Sequence, residues 1–226
     1  MPLDTKAFRV RTLTAVFFVI IMLAGLLWNQ WSFIFLFTFI HFGCWYEFVK
    51  LIKKIYPSTY GLISGTGLFY ITLPIVLLIM VRTGSNILID NKYLKIIPCG
   101  IIFSLWVNDT MAYIVGSLIG KTPLSKISPR KTWEGTIGGA LLCVITITLI
   151  GYATGFYNYK DWIIISLCCA VFGTLGDLFE SKLKRMAGVK DSGVIMPGHG
   201  GFLDRFDSLL FAAISVGVYY FLFMQK

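Results

Sequence analysis

The stretch from Ser181 to Asp207, SKLKRMAGVKDSGVIMPGHGGFLDRFD, concentrates chemistry that a plain membrane-crossing turn does not need. It holds five basic residues, three aspartates, His199 and the run Gly198-His199-Gly200-Gly201, and it lies between two segments apolar enough for a bilayer. Glycines let backbone N–H groups approach an anion closely, and Lys184, Arg185, Lys190 and Arg205 surround them with positive charge. Just upstream, Asp177, Glu180, Ser181 and Lys184 recur at i, i+3, i+4 and i+7, which gathers two carboxylates, a hydroxyl and an ammonium on one helix face. Such a face reads either as a set of helix-end salt bridges, Glu180 to Lys184 above all, or as part of a cation site. Asp191, Asp204 and Asp207 add oxygen ligands suited to a hard cation such as Mg²⁺. Asp204 precedes the last apolar run and is the preferred ligand, whereas Asp207 serves equally well as an ordinary helix-start residue.

A second polar loop, Gly120 to Gly135 (GKTPLSKISPRKTWEG), interleaves Lys121, Lys126, Arg130 and Lys131 with the hydroxyls of Ser125, Ser128 and Thr132. This is phosphate-binding material, although it lacks the glycine spacing of the nucleotide-binding P-loop. Asp109, Tyr113, Gly116 and Gly120 share one helix face leading to that loop. The face is either a cavity wall or the setting of a structural Asp satisfied across helices. Glu47 lies near Lys50 and reads as an i,i+3 pair at the membrane interface.

The elements that must position these groups are membrane helices. With 57% hydrophobic residues, 14% charged residues and a mean hydropathy of +0.78, the 226-residue chain falls outside the range of soluble domains. A hydrocarbon core about 30 Å thick needs roughly 20 apolar residues per helix. Seven runs qualify: Val10–Trp28, Trp31–Leu51, Tyr60–Val81, Leu94–Gly120, Gly135–Tyr157, Asp161–Glu180 and Asp207–Met224. The first is longer than the apolar core of a signal peptide and no small-x-small site follows it, so it is expected to be retained. The expected fold is therefore all-α: a single polytopic membrane domain of about seven transmembrane helices with a polar cavity facing the cytoplasm. Residues 1–93 form its amino-terminal spans and residues 94–226 carry the motifs.

Basic residues stay on the cytoplasmic side of short loops. With the amino terminus inside, the inner segments take Lys6, Arg9, Arg11, Lys50, Lys53, Lys54, Lys121, Lys126, Arg130, Lys131, Lys182, Lys184, Arg185, Lys190 and Arg205. Only Arg82, Lys92, Lys95, Lys160 and Lys226 fall outside. Both polar loops thus share the cytoplasmic face of a cell (inner) membrane protein. The net charge of +9 suits anionic head groups and polyphosphates, and no nucleic-acid partner is expected. Five cysteines sit in apolar runs without metal-type spacing and read as small hydrophobes. Glycines four apart at Gly61/Gly65, Gly116/Gly120, Gly135/Gly139 and Gly151/Gly155 permit close helix contact. Carboxylates for Mg²⁺ beside a basic, glycine-rich anion site at a membrane surface point to phosphoryl or nucleotidyl transfer on a lipid.

The residues that carry a family likeness are Ser181, Lys184, Arg185, Lys190, Asp191, Pro197, His199, Gly200, Gly201, Asp204, Arg205 and Asp207. Three further blocks precede them in order: Asn108-Asp109-Thr110 with Ala112-Tyr113, Ile127-Ser128-Pro129 with Lys131 to Gly135, and Gly176-Asp177-Leu178 with Glu180-Ser181. In these the chain resembles the phosphatidate cytidylyltransferases, or CDP-diacylglycerol synthases, over about its last 120 residues. Met196 stands where the family usually has a branched or aromatic apolar residue, and the chain is short by about two spans.

The resemblance implies that CTP and phosphatidate give CDP-diacylglycerol and pyrophosphate in a polytopic fold whose cavity opens to cytoplasm and lipid. It implies a divalent metal, with Mg²⁺ held by the residues matching Asp177 and Asp204, and admits a second cation such as K⁺ and a homodimer. The catalytic set is then expected to be Asp177, Asp204, Lys131 and Asp109. Ser128 and Thr132 would grip CTP phosphates with Lys131, while Ser181, Lys184, Arg185, Lys190, His199, Gly200, Gly201 and Arg205 would bind substrate. The alternatives are a CTP-dependent polyprenol or phytol kinase and, from another class, a membrane transporter. A transporter has no need of two phosphate-gripping loops on one face, and no inverted repeat is visible.

Overall fold

The computed structural model describes residues 5–84, 94–195 and 200–224, with side chains from Thr12 onward in the first helix. His199, Pro197, Gly198 and Met196 lie outside the described residues. Among the described residues seven helices follow one another: α1 Thr5–Leu27, α2 Gln30–Ile55, α3 Tyr60–Thr83, α4 Ile96–Ile119, α5 Trp133–Thr154, α6 Tyr159–Met186 and α7 Leu203–Met224. Each coincides with one of the seven apolar runs. Six, α2 to α7, are long and apolar enough to cross a membrane, and α1 adds the shorter apolar stretch Thr12–Leu27.

Local sequence explains where the helices begin. Asn29 caps α2 by accepting from Ser32 N–H at 2.8 Å, and Ser32 returns the bond at 3.2 Å. Thr132 Oγ1 accepts from Gly135 N–H at 3.1 Å to start α5, and Asn158 with Asp161 boxes the start of α6. Phe202, the residue before α7, offers no capping side chain of its own.

The helices pack around a core that includes Phe33, Phe37, Ile71, Ile101, Ile165 and Leu203, all essentially inaccessible. The α4–α5 seam is a close backbone-to-backbone contact among the glycine-spaced pairs. A Cβ on Gly135 would lie 2.7 Å from the Ala112 carbonyl oxygen, and one on Gly139 would lie 2.7 Å from Ala112 N, so the two backbones meet there. Gly116 faces Gly135 from the other side of the seam, whereas Gly61 and Gly155 face open space. A similar approach joins α6 to α7, where a Cβ on Gly176 would run into the Asp207 carbonyl oxygen.

The outer faces are apolar. On α5, Leu141, Ile145 and Leu149 repeat every four residues and are 61%, 55% and 63% exposed. A soluble protein rarely leaves such a stripe in water. In lipid it costs nothing, and the chain is an integral membrane protein.

Candidate active site

Where α4, α6 and α7 converge, with α1 as an outer wall, they enclose a cavity of about 550 Å³, within the range of small-molecule sites. One end is apolar, lined by Met22 of α1 and by Ile102, Leu105 and Trp106 of α4 and Leu209 of α7, which lie farther along those two helices from the polar loops, and Phe18 of α1 packs against Phe206. The other end is charged. Asp109, Asp177, Asp204 and Asp207 line it together with Arg130, Lys131 and Arg205.

Lys131 reaches that end because its loop is folded back on itself. Leu124 N–H donates to the Lys131 carbonyl at 2.7 Å, Trp133 N–H donates to the Thr122 carbonyl at 3.0 Å, and Pro123 bridges Thr132 in antiparallel fashion. Glu134, in the first turn of α5, pins the other arm: its carboxylate accepts from the N–H groups of Lys121 and Thr122 at 3.2 Å and from the Thr122 hydroxyl at 2.9 Å. The Lys131 ammonium pairs with the Asp177 carboxylate, and the two side chains stay 33% and 24% exposed, so the pair remains open to the cavity. Asp109 lies within electrostatic reach of Lys131, Asp177 and Arg205. Asp207 is buried within electrostatic reach of Asp177 and Glu180. Thr132 and Arg130 also touch the cavity.

Asp204 has a different environment. Its Oδ1 accepts from Lys184 Nζ at 2.7 Å, and its Oδ2 accepts from Ser192 N–H at 2.8 Å, Ser192 Oγ–H at 2.9 Å and Gly201 N–H at 2.8 Å. Lys184 also pairs with the fully buried Glu180. Asp204 therefore borders the cavity and at the same time braces the loop that leads into α7.

The expected site residues thus separate into groups. Asp109, Asp177, Asp204, Lys131, Thr132 and Arg205 share the cavity wall. Lys184 sits behind the wall between two carboxylates. Ser128 lends its carbonyl to Lys131 N–H within the folded loop, and Arg185 is exposed and donates to the Val189 carbonyl at 3.4 Å. Lys190 lies on a smaller groove of about 280 Å³ with Lys50 and Lys54. Ser181 is half-buried on α6 beside Glu180. Gly200, at φ 84°, and Gly201 pack against the protein's own acids: Asp204 stands where a Cβ on Gly200 would go, and Gly201 meets Glu47.

Glu47 differs from its expected surface pairing with Lys50. It is buried, and its carboxylate accepts from Phe202 N–H at 3.0 Å, Leu203 N–H at 2.9 Å and Ser192 Oγ–H at 2.6 Å. The local spacing to Lys50 concealed a contact across more than 140 residues. Glu134 was legible only as part of a motif. The one local signal for Glu47 was a carboxylate within an apolar run, where burial demands partners.

Carboxylate oxygens at the charged end are hard donors of the kind that suit Mg²⁺. Among the described residues no three His, Cys, Asp or Glu side chains form a closed ligand set. Mg²⁺ commonly takes one or two protein carboxylates and completes its shell with phosphate oxygens and water. Asp177 is part-exposed on the cavity wall, and of Asp204 only Oδ1, which accepts a single donor, keeps capacity for an ion, since Oδ2 already takes three donors.

A family model described as "Cytidylyltransferase family" matches residues 68–223. The chain is 51% identical over 110 residues to the phosphatidate cytidylyltransferase of Staphylococcus saprophyticus, a stretch covering 47% of this chain and 42% of that protein. The Staphylococcus aureus protein of the same name is 50% identical over 110 residues, with the same coverage. That of Helicobacter pylori is 44% identical over 120 residues, covering 53% of this chain and 45% of its own length. The chain thus spans less than half the length of the curated relatives it matches.

Proposed function

The chain belongs to the cytidylyltransferase family, and from that premise we propose that it transfers the cytidylyl group of CTP to phosphatidate, giving CDP-diacylglycerol and pyrophosphate. The observation that carries this reading is the two-sided lining of the cavity, apolar along Met22, Ile102, Leu105 and Leu209 and charged toward Asp109, Lys131, Asp177 and Arg205. An amphipathic phospholipid has the same division between acyl chain and phosphate.

The phosphatidate phosphomonoester, whose second pKa by analogy with protein phosphates is about 6, is largely dianionic at neutral pH. Its oxygen attacks the α-phosphorus of CTP, forming the new O–P bond as the bond from that phosphorus to the bridging oxygen of pyrophosphate breaks. No proton has to be removed from the nucleophile. The task left to the protein is to bring two polyanions together and stabilise charge on the leaving group. Arg130, Lys131 and Arg205 at the charged end supply cationic side chains for that purpose. Asp177 and Asp204 would hold the divalent cation, which when bound neutralises phosphate charge and orients the phosphates. Lys131, paired with Asp177 on the cavity wall, would offer its ammonium to the nucleotide phosphates.

The loops and helix ends on this side of the bundle carry most of the chain's Lys and Arg residues, which supports a site opening on the cytoplasmic face. Product mass tests the reaction. Purified protein given phosphatidate, CTP and Mg²⁺ is expected to yield a lipid heavier by one cytidylyl group, whereas a lipid heavier by one phosphate would identify a kinase instead.

A further inference from the structure

We infer that Glu47, on α2 and outside the residues matched by the family model, is a positioning residue for the site: it locks the start of α7 and, through Ser192, the orientation of Asp204. This rests on the reading given under Proposed function for what the site does, and on geometry alone for the lock.

The first N–H groups of an α-helix have no partner within it. At α7 the preceding residue is Phe202, which has no side-chain acceptor, and the Glu47 carboxylate takes that place by accepting from Phe202 and Leu203 N–H. A carboxylate is favoured there by the helix dipole as well. The side chain is 1% exposed, and neither Gly193 nor Gly201 has room for a Cβ beside it, so the fit is closed on both sides.

Ser192 links this lock to the cavity. Its hydroxyl lies 2.6 Å from Glu47 Oε2 and 2.9 Å from Asp204 Oδ2, and its N–H donates to that same Asp204 oxygen at 2.8 Å. A hydroxyl carries one proton, which the two carboxylates must share. Displacement of Glu47 therefore shifts Ser192 and Asp204 together. It also releases the first turn of α7, which delivers Arg205 and Asp207 to the cavity wall.

The test uses the full chain in detergent and two variants, Glu47→Gln and Ser192→Ala. In Glu47→Gln an amide nitrogen faces backbone donors, and amide hydrogen exchange at Gly201, Phe202 and Leu203 is expected to accelerate about tenfold or more. Cytidylyl transfer is expected to fall about 10- to 100-fold in kcat with KM for CTP within about threefold of wild type, because the loss is one of alignment. Ser192→Ala cuts the link to Asp204 and leaves Glu47 on the backbone, so it should lower kcat without faster exchange at Phe202 and Leu203. The double variant should fall no further than Glu47→Gln. Should Glu47→Gln fail to fold, the Ser192→Ala result decides alone: wild-type kcat there removes the proposed link. Unaltered exchange in folded Glu47→Gln, unaltered kcat despite faster exchange, or additive losses in the double variant would each overturn the inference. Exchange is read without substrate. A wild-type protein inert toward CTP and phosphatidate would thus sink the enzymatic reading, while faster exchange in Glu47→Gln would still establish the lock.

Discussion

The Lys131 ammonium, from the folded loop before α5, and the Asp177 carboxylate, from α6, form an ion pair at the charged end of the cavity. Neither helix alone could bring the two together, and the pair depends on Glu134 and the Pro123–Thr132 bridge to hold the loop back against the bundle. Lys131→Met leaves an uncompensated acid and Asp177→Asn an uncompensated cation. Each is expected to lower cytidylyl transfer by about 10²- to 10³-fold, the usual loss when one preorganised charge is removed from a site. Lys131→Arg, which keeps the charge, should retain more activity than Lys131→Met. Turnover of either neutral variant within about threefold of wild type would contradict this role.

Asp204 uses both carboxylate oxygens, one for Lys184 and one for the donors of Ser192 and Gly201. An asparagine has a single acceptor oxygen and would turn its NH₂ toward one of these donor sets. Asp204→Asn is therefore expected to lose at least about tenfold more turnover than His199→Gln, since an unpaired buried donor is costly. Turnover assays on membranes with matched amounts of inserted protein check this. Equal collapse of both variants would count against the account.

The seven helices were legible because long apolar runs and basic loops are local properties, and Asn29, Thr132 and Asn158 mark three of the helix starts. The gathering of Asp109, Asp177 and Lys131 was legible as far as shared faces and shared loops allow. The partners of Glu47 and the division of labour between Lys131 and Lys184 were not. Periodicity says which residues share a helix face, but Glu47 is satisfied by backbone N–H groups at the start of α7, and backbone donors leave no residue-type signature. For the same reason the glycine-rich turn read as an open anion cradle, although the Gly201 N–H already donates to Asp204.

The α6–α7 crossing has its own test. Because a Cβ on Gly176 would meet the Asp207 carbonyl oxygen, Gly176→Ala must push the two helices apart or strain them, at a cost of about 1–3 kcal/mol. Thermal unfolding in detergent should show a lowered midpoint, and activity should fall with it because Asp177 and Asp207 flank the crossing. An unchanged midpoint would mean that the helices do not meet at this glycine.

Removal of divalent cations should abolish turnover, and added Mg²⁺ or Mn²⁺ should restore it, with Asp177→Asn raising the Mg²⁺ concentration needed for half-maximal activity. The check is activity against free metal concentration after exhaustive chelation. Full activity in the chelated protein would rule out the metal role of Asp177 and Asp204.

The central claim is that the charged end of the cavity joins a cytidylyl group to a lipid phosphate. It is tested most directly by supplying the purified protein with phosphatidate and CTP labelled in the cytosine ring, then extracting the lipid. Cytosine label is expected in the lipid phase with wild-type protein and is expected to be nearly absent there with Asp177→Asn. Label that stays wholly in the aqueous phase with correctly folded wild-type protein would contradict the claim.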